Sequence, residues 1–77
     1  MPKYQIDENL LNQLNNSYTY HSPKDDQPGR YVEIRDKAKE LAITICQCAP
    51  TSRERSIALT DLEKVVTMAN KAIACNE

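Results

Sequence analysis

The chain has 77 residues, 40% of them hydrophobic, and its ten Lys and Arg against eleven Asp and Glu leave a net charge of −1. That length holds one small domain without room for a second core, and the charge balance excludes the basic excess by which proteins grip duplex nucleic acid. With no Trp or Phe and only four tyrosines, any core must be aliphatic and marginal, so self-association is expected.

The first 16 residues read as a helical arm. Asp7 is the expected N-cap of a helix over residues 7–16, where Ile6, Leu10, Leu11 and Leu14 recur at three- and four-residue spacing. A helix this short must dock on something. Residues 17–29, "SYTYHSPKDDQPG", carry turn chemistry: proline fixes φ, and Asp bonds to nearby backbone. They are expected to form an ordered loop. Tyr18 and Tyr20 have two readings there. Their rings pack on the rest of the chain as its missing large core residues, the favoured reading for each alone, or they stack with His21 on a nucleobase. Ser17 and Thr19 are hydroxyl donors for a phosphate.

A second helix is expected over residues 30–49, about 30 Å long, with Ile34, Ala38, Leu41, Ala42, Ile45 and Ala49 on one stripe and Glu33, Asp36, Lys37 and Glu40 opposite. Pro50 ends it by pushing the preceding residue out of the helical region. A third helix starts at once, capped by a Thr51-x-x-Glu54 box or by Ser52 alone. Its stripe is Ala58, Leu62, Val65, Val66, Ala69, Ala72 and Ile73. Two long helices joined by so few residues run antiparallel. The expected fold is therefore all-α: a short N-terminal helix and a long antiparallel hairpin over residues 30–77, assembling as a homo-oligomer. The alanines on both stripes allow close approach of helices, and the narrow hairpin favours symmetric packing with other copies.

Chemistry-bearing constellations are thin. Cys46, Cys48 and Cys75 are odd in number, and the C-x-C spacing differs from the thioredoxin-like motif. With His21 as the only histidine, a four-ligand zinc site would need ligands from other subunits, and free thiols are expected instead. No phosphate loop, nucleophile elbow or paired carboxylate is marked out, so no enzyme, metal or cofactor is expected. Without a signal peptide or an apolar run near ~18 residues, the expectation is a soluble intracellular protein that does not enter a membrane.

The stretch "PTSRERSIALTDLEKV" is unusual at a helix start. The first turn offers open amide donors and a positive dipole end, which suits a phosphate. Arg53 and Arg55 are unfavourable for that dipole, where acidic residues are the rule. Arg53 therefore either pairs with a carboxylate of a neighbouring subunit or grips a phosphate through two parallel hydrogen bonds.

"YTYHSPKDDQPGRYVEIRDKAKELA", "PTSRERSIALTDLEKV" and "ANKAIACNE", in order and at matching separations, resemble the phage hairpin proteins of the anti-CBASS cyclic-nucleotide sponge family. That hairpin is shared with Thoeris anti-defence sponges. The resemblance covers residues 18 to 77 and implies a homohexamer, a trimer of dimers, that sequesters cyclic oligonucleotides in the cytoplasm of an infected bacterial host cell without cleaving them. It implies cyclic-trinucleotide pockets where three protomers meet, with Arg53 facing the ligand and Ser52 beside it. It implies cyclic-dinucleotide pockets between paired protomers, with Thr19 as hydroxyl donor and Tyr4 as the aromatic candidate, near Tyr20 and His21. Ser17 stands where the dinucleotide-binding relatives are basic, a departure that weighs on that pocket alone. A helical assembly protein without a nucleotide ligand, or a sponge for a cyclic ADP-ribose signal, remain the alternatives.

Overall fold

A computed structural model describes residues 3–77; residues 1 and 2 of the expected arm lie outside it. Three helices follow in order: α1 Glu8–Tyr18, α2 Gln27–Cys48 and α3 Arg53–Asn76. No strand occurs among the described residues.

Each boundary has a local cause. Asp7 caps α1 as expected, its Oδ1 accepting from the Leu10 N–H at 2.8 Å. α1 runs two residues past its expected end, which brings Ser17 and Tyr18 into the helix; the Thr19 hydroxyl donates to the Asn15 carbonyl at this terminus. α2 begins at Gln27, three residues earlier than expected, because Pro28 suits a first turn, where its missing N–H is not needed. Asp25 just before it has φ 53°, a left-handed conformation that Asp tolerates. The remaining loop is short, and a turn closed by Gln27 N–H to the Lys24 carbonyl at 3.0 Å feeds it into α2.

At the far end α2 stops before Pro50, with the Ala49 N–H reaching the Ile45 carbonyl at 2.9 Å. Ser52 is the N-cap of α3, accepting from the Arg55 N–H at 3.1 Å. Of the two expected caps this is Ser52 alone.

α2 and α3 pack along one seam, as the stripes require. Ile34, Ala38, Ala42, Ile45 and Ala49 are half-buried against Ala58, Leu62, Val66, Ala69 and Ile73. Leu41 and Val65 belong to the same sequence stripes yet lie outside the seam, 49% and 61% exposed. The apolar stripes are thus wider than one hairpin uses. No hydrophobic side chain among the described residues is fully buried.

The protomer is correspondingly flat, 50 × 37 × 14 Å, with a radius of gyration of 17.3 Å against about 11.5 Å for a compact chain of this length. Its accessible surface of 6565 Å² exceeds by roughly 1,800 Å² the value for a compact monomer of 8.8 kDa. α1 is exposed along its whole length and is joined to α3 at Asn16, whose amide donates to the Cys75 carbonyl at 2.9 Å and whose carbonyl accepts from the Cys75 thiol at 3.8 Å. No helix of the described residues is long and apolar enough to cross a membrane.

Candidate functional site

The site residues expected from sequence fall into two groups at opposite ends of the hairpin. Arg53 opens α3 at the tip, while Tyr20 and His21 face Ala74 at the other end. At ~1.5 Å per residue these positions are about 32 Å apart along α3. One protomer cannot bring them onto one small ligand.

At the tip, the two arginines have different surroundings. Arg55 is half-buried and folds back over the end of α2, its Nη1 donating to the carbonyls of Cys46 at 3.4 Å and Ala49 at 3.3 Å. A cation there offsets the negative end of the α2 dipole. Arg53 makes no side-chain hydrogen bond or ion pair among the described residues and lines a shallow hollow with Ser56, Ile57, Thr60 and Asp61, whose carboxylate pairs with Lys64 at 3.6 Å. Ser52 donates to the Pro50 carbonyl at 3.0 Å and accepts from the Arg55 N–H. Its hydroxyl is engaged in both directions, so it shapes the turn that presents Arg53. The first i→i−4 bond of α3 is Ser56 N–H to the Ser52 carbonyl at 3.2 Å, and the Arg53 and Glu54 amides ahead of it have no intrahelical acceptor. A guanidinium beside two open amides can receive a phosphate.

At the other end, a hollow of about 280 Å³ is lined by Tyr20, His21, Ser22, Lys24, Gln27, Ala74 and Glu77. His21 Nε2 lies 2.8 Å from the Asn16 carbonyl. A carbonyl only accepts, so Nε2 carries a proton and donates. Tyr18 and Tyr20 are 86% and 82% exposed, which corrects the favoured reading that their rings pack on the hairpin: a seam of alanines and aliphatic residues closes without them. Tyr4 is 80% exposed, with the Lys3 ammonium 5.7 Å from its ring centre. Ser17 lies in a separate groove between α1 and α3, with Gln13, Met68 and Lys71. The structure therefore brings Tyr20 and His21 together and leaves Ser17 and Tyr4 apart from them.

Sequence reasoning missed the network under that hollow. Gln27, 3% exposed, is the one fully buried residue among those described. Its Oε1 accepts from the Lys24 N–H and its Nε2 donates to Glu77 Oε1, both at 3.1 Å. Arg30 grips Glu77 through both terminal nitrogens, at 2.5 and 2.7 Å, and Asp26 at 3.0 Å. The hydrogen bond from Arg30, and then that from Gln27, lower the Glu77 carboxyl from 4.5 to about 2. The Glu77 bond in turn raises Arg30 further above its ordinary value. Arg30 and Glu77 are far apart in sequence and both read as surface charges, so no local pattern signals the pair.

Cys46 and Cys48 are exposed, Cys75 is half-buried, and all three are free thiols. Among the described residues no group of three or more His, Cys, Asp or Glu is placed to hold a metal ion.

The described residues form a bare helical hairpin with an unpaired arginine at its tip and a polar loop hollow at its other end. Residues 11–74 match the family model for the Acb2/Tad1 hairpin domain, and the chain belongs to that family, the phage anti-defence sponges against CBASS and Thoeris signalling. The family is one of sponges rather than enzymes. Comparisons with curated proteins and with solved structures gave no match.

Proposed function

We propose that this protein binds and sequesters cyclic oligonucleotide second messengers, cyclic trinucleotides first, and so blocks CBASS immunity in the host cytoplasm. The observation that carries this reading is Arg53: exposed, without a partner among the described residues, and next to two open amides, while Arg55 two residues on is held by the end of α2. In this reading the protein is a homohexamer, a trimer of dimers. Three copies of Arg53 around a three-fold axis meet the three phosphates of a cyclic trinucleotide. The surface excess of roughly 1,800 Å² per protomer supports assembly, because a standard interface takes about 800 Å² from each partner.

A second class of pocket, for cyclic dinucleotides, uses the loop end. Tyr20 and His21 supply stacking and hydrogen bonding there, with Thr19, Ser17 and Tyr4 joining from between paired protomers. An aromatic ring left in water beside an imidazole suits a nucleobase.

Titration calorimetry with cyclic triadenylate and, separately, cyclic diguanylate tests the reading. A sponge requires a Kd in the nanomolar range, about −12 kcal/mol, at one trinucleotide per three chains. Arg53→Ala is expected to abolish trinucleotide binding and leave the assembly intact in sedimentation. Silence with both nucleotides would leave a helical assembly protein, and heat with a cyclic ADP-ribose alone would move the chain to the Thoeris side of its family.

A further inference from the structure

We infer that Arg30, Gln27 and Glu77 are positioning residues for the loop pocket, holding Lys24 at its rim as the anion-facing group beside His21; this rests on the reading of that pocket as a ligand site. Four observations meet here. Gln27 is the one buried residue among those described, where no hydrophobic side chain is buried, so the least exposed point of the chain is a polar crosslink. That crosslink spans 50 residues of sequence and ties the loop at Lys24 to the C-cap of α3. Arg30 closes it from the far side with a two-pronged grip on Glu77. Gln27, Lys24 and Glu77 all line the hollow that Tyr20 and His21 face.

The charges explain why the arrangement suits an anion. Glu77 alone would repel a phosphate from the hollow. Arg30 neutralises it from behind, and Asp26 accepts a further hydrogen bond from the same guanidinium. Of the side chains lining the hollow, Lys24 then carries the positive charge that is not taken up in the grip. His21 stands beside it: its Nε2 donates to the Asn16 carbonyl, which leaves Nδ1 as an acceptor for a base N–H or a ribose hydroxyl. Lys24 is kept at the rim because Gln27 Oε1 fixes its backbone N–H. Loss of the crosslink frees the turn at Asp25, whose left-handed conformation needs support from its surroundings.

The test uses the full chain with Glu77→Gln and Gln27→Ala, and reads four quantities: affinity for cyclic diguanylate, affinity for cyclic triadenylate, amide exchange at Lys24, and the His21 ring resonances. Expected is a loss of tenfold or more in dinucleotide affinity, unchanged trinucleotide affinity, faster Lys24 exchange and shifted His21 signals, with helicity retained. Arg30→Lys, which keeps the charge but loses the fork, is expected to fall between wild type and Glu77→Gln. Equal losses for both nucleotides would reduce the network to general fold stability and overturn the inference, as would Lys24 exchange and His21 signals unchanged in both variants. If the wild-type chain binds no cyclic dinucleotide, the functional reading of this pocket fails, and the exchange and ring signals still decide whether the crosslink holds the loop.

Discussion

Glu77 receives both terminal nitrogens of Arg30, at 2.5 and 2.7 Å, so the C-cap of α3 is bound to the first turn of α2. Its carboxyl is lowered to about 2 from 4.5, first by the Arg30 hydrogen bond and then by that from Gln27. A carboxyl lowered in the folded state contributes stability that is complete above its unfolded value near 4.5 and is lost as pH falls through the folded value near 2. Carboxyl carbon shifts are expected to show Glu77 titrating near 2, with the contact opening between those limits. Salt weakens it, since both side chains are more than a third exposed. Arg30→Met is expected to return the Glu77 midpoint toward 4.5; an ordinary midpoint in the wild-type chain would contradict the grip.

Arg53 and Arg55 are expected to part company on substitution. Arg55→Ala removes the cation over the α2 carbonyls and costs about 0.5–1 kcal/mol in thermal unfolding. Arg53→Ala removes a positive charge from the positive end of a helix dipole, so stability is unchanged or rises by about 0.3 kcal/mol, while trinucleotide binding disappears. Ser52→Ala is expected to cost about 1 kcal/mol through the lost cap. Stability that falls with Arg53→Ala would assign that side chain to an interface ion pair instead.

The hairpin was legible because its signals are local and periodic: Pro50 between two apolar stripes, and the hydroxyl caps Thr51 and Ser52 at the start of α3. Asp7 was legible as a cap for the same reason. The start of α2 was not, because Pro28 and Gly29 carry turn and first-turn chemistry alike, and only the tertiary bonds of Gln27 and Arg30 select the helix. The setting of Tyr18 and Tyr20 was misread for a physical reason. A chain poor in large residues invites the inference that each ring is needed in the core, whereas a two-helix seam lined by alanine leaves no space for one. At the candidate site, Arg53 was visible as a charge at odds with the helix dipole. Its contrast with Arg55 was not, since it depends on how the chain turns between Ala49 and Ser52.

Asn16 makes the contact that fastens α1 to α3. Its side chain donates to the Cys75 carbonyl, and its own carbonyl accepts from His21. Asn16→Ala removes the first bond and leaves the second, together with the weak bond from the Cys75 thiol to the same carbonyl. A loss of about 1 kcal/mol corresponds to roughly fivefold faster amide exchange, expected in α1 alone, with α2 and α3 unchanged. Exchange in α1 that ignores the substitution would mean that its exposed face, Leu10, Leu11 and Leu14, is held by a second copy of the chain.

Asn70 separates the protomer from its assembly more sharply. It is half-buried on α3, and its Oδ1 is shut off from water without a partner among the described residues. An acceptor in that condition costs about 1–3 kcal/mol, whereas an apolar group of similar shape costs nothing comparable. Asn70→Leu is therefore expected to stabilise the isolated hairpin by about 1 kcal/mol, a rise of roughly 4–8 °C in Tm for a domain of this size. The measurement is thermal unfolding of both proteins over a hundredfold range of concentration. The concentration dependence matters because a folded state that binds its own copies is stabilised by mass action. If Asn70→Leu instead lowers Tm and removes that dependence, the Oδ1 meets a donor from another copy, and the residue belongs to the interface on which the three-fold Arg53 pocket depends.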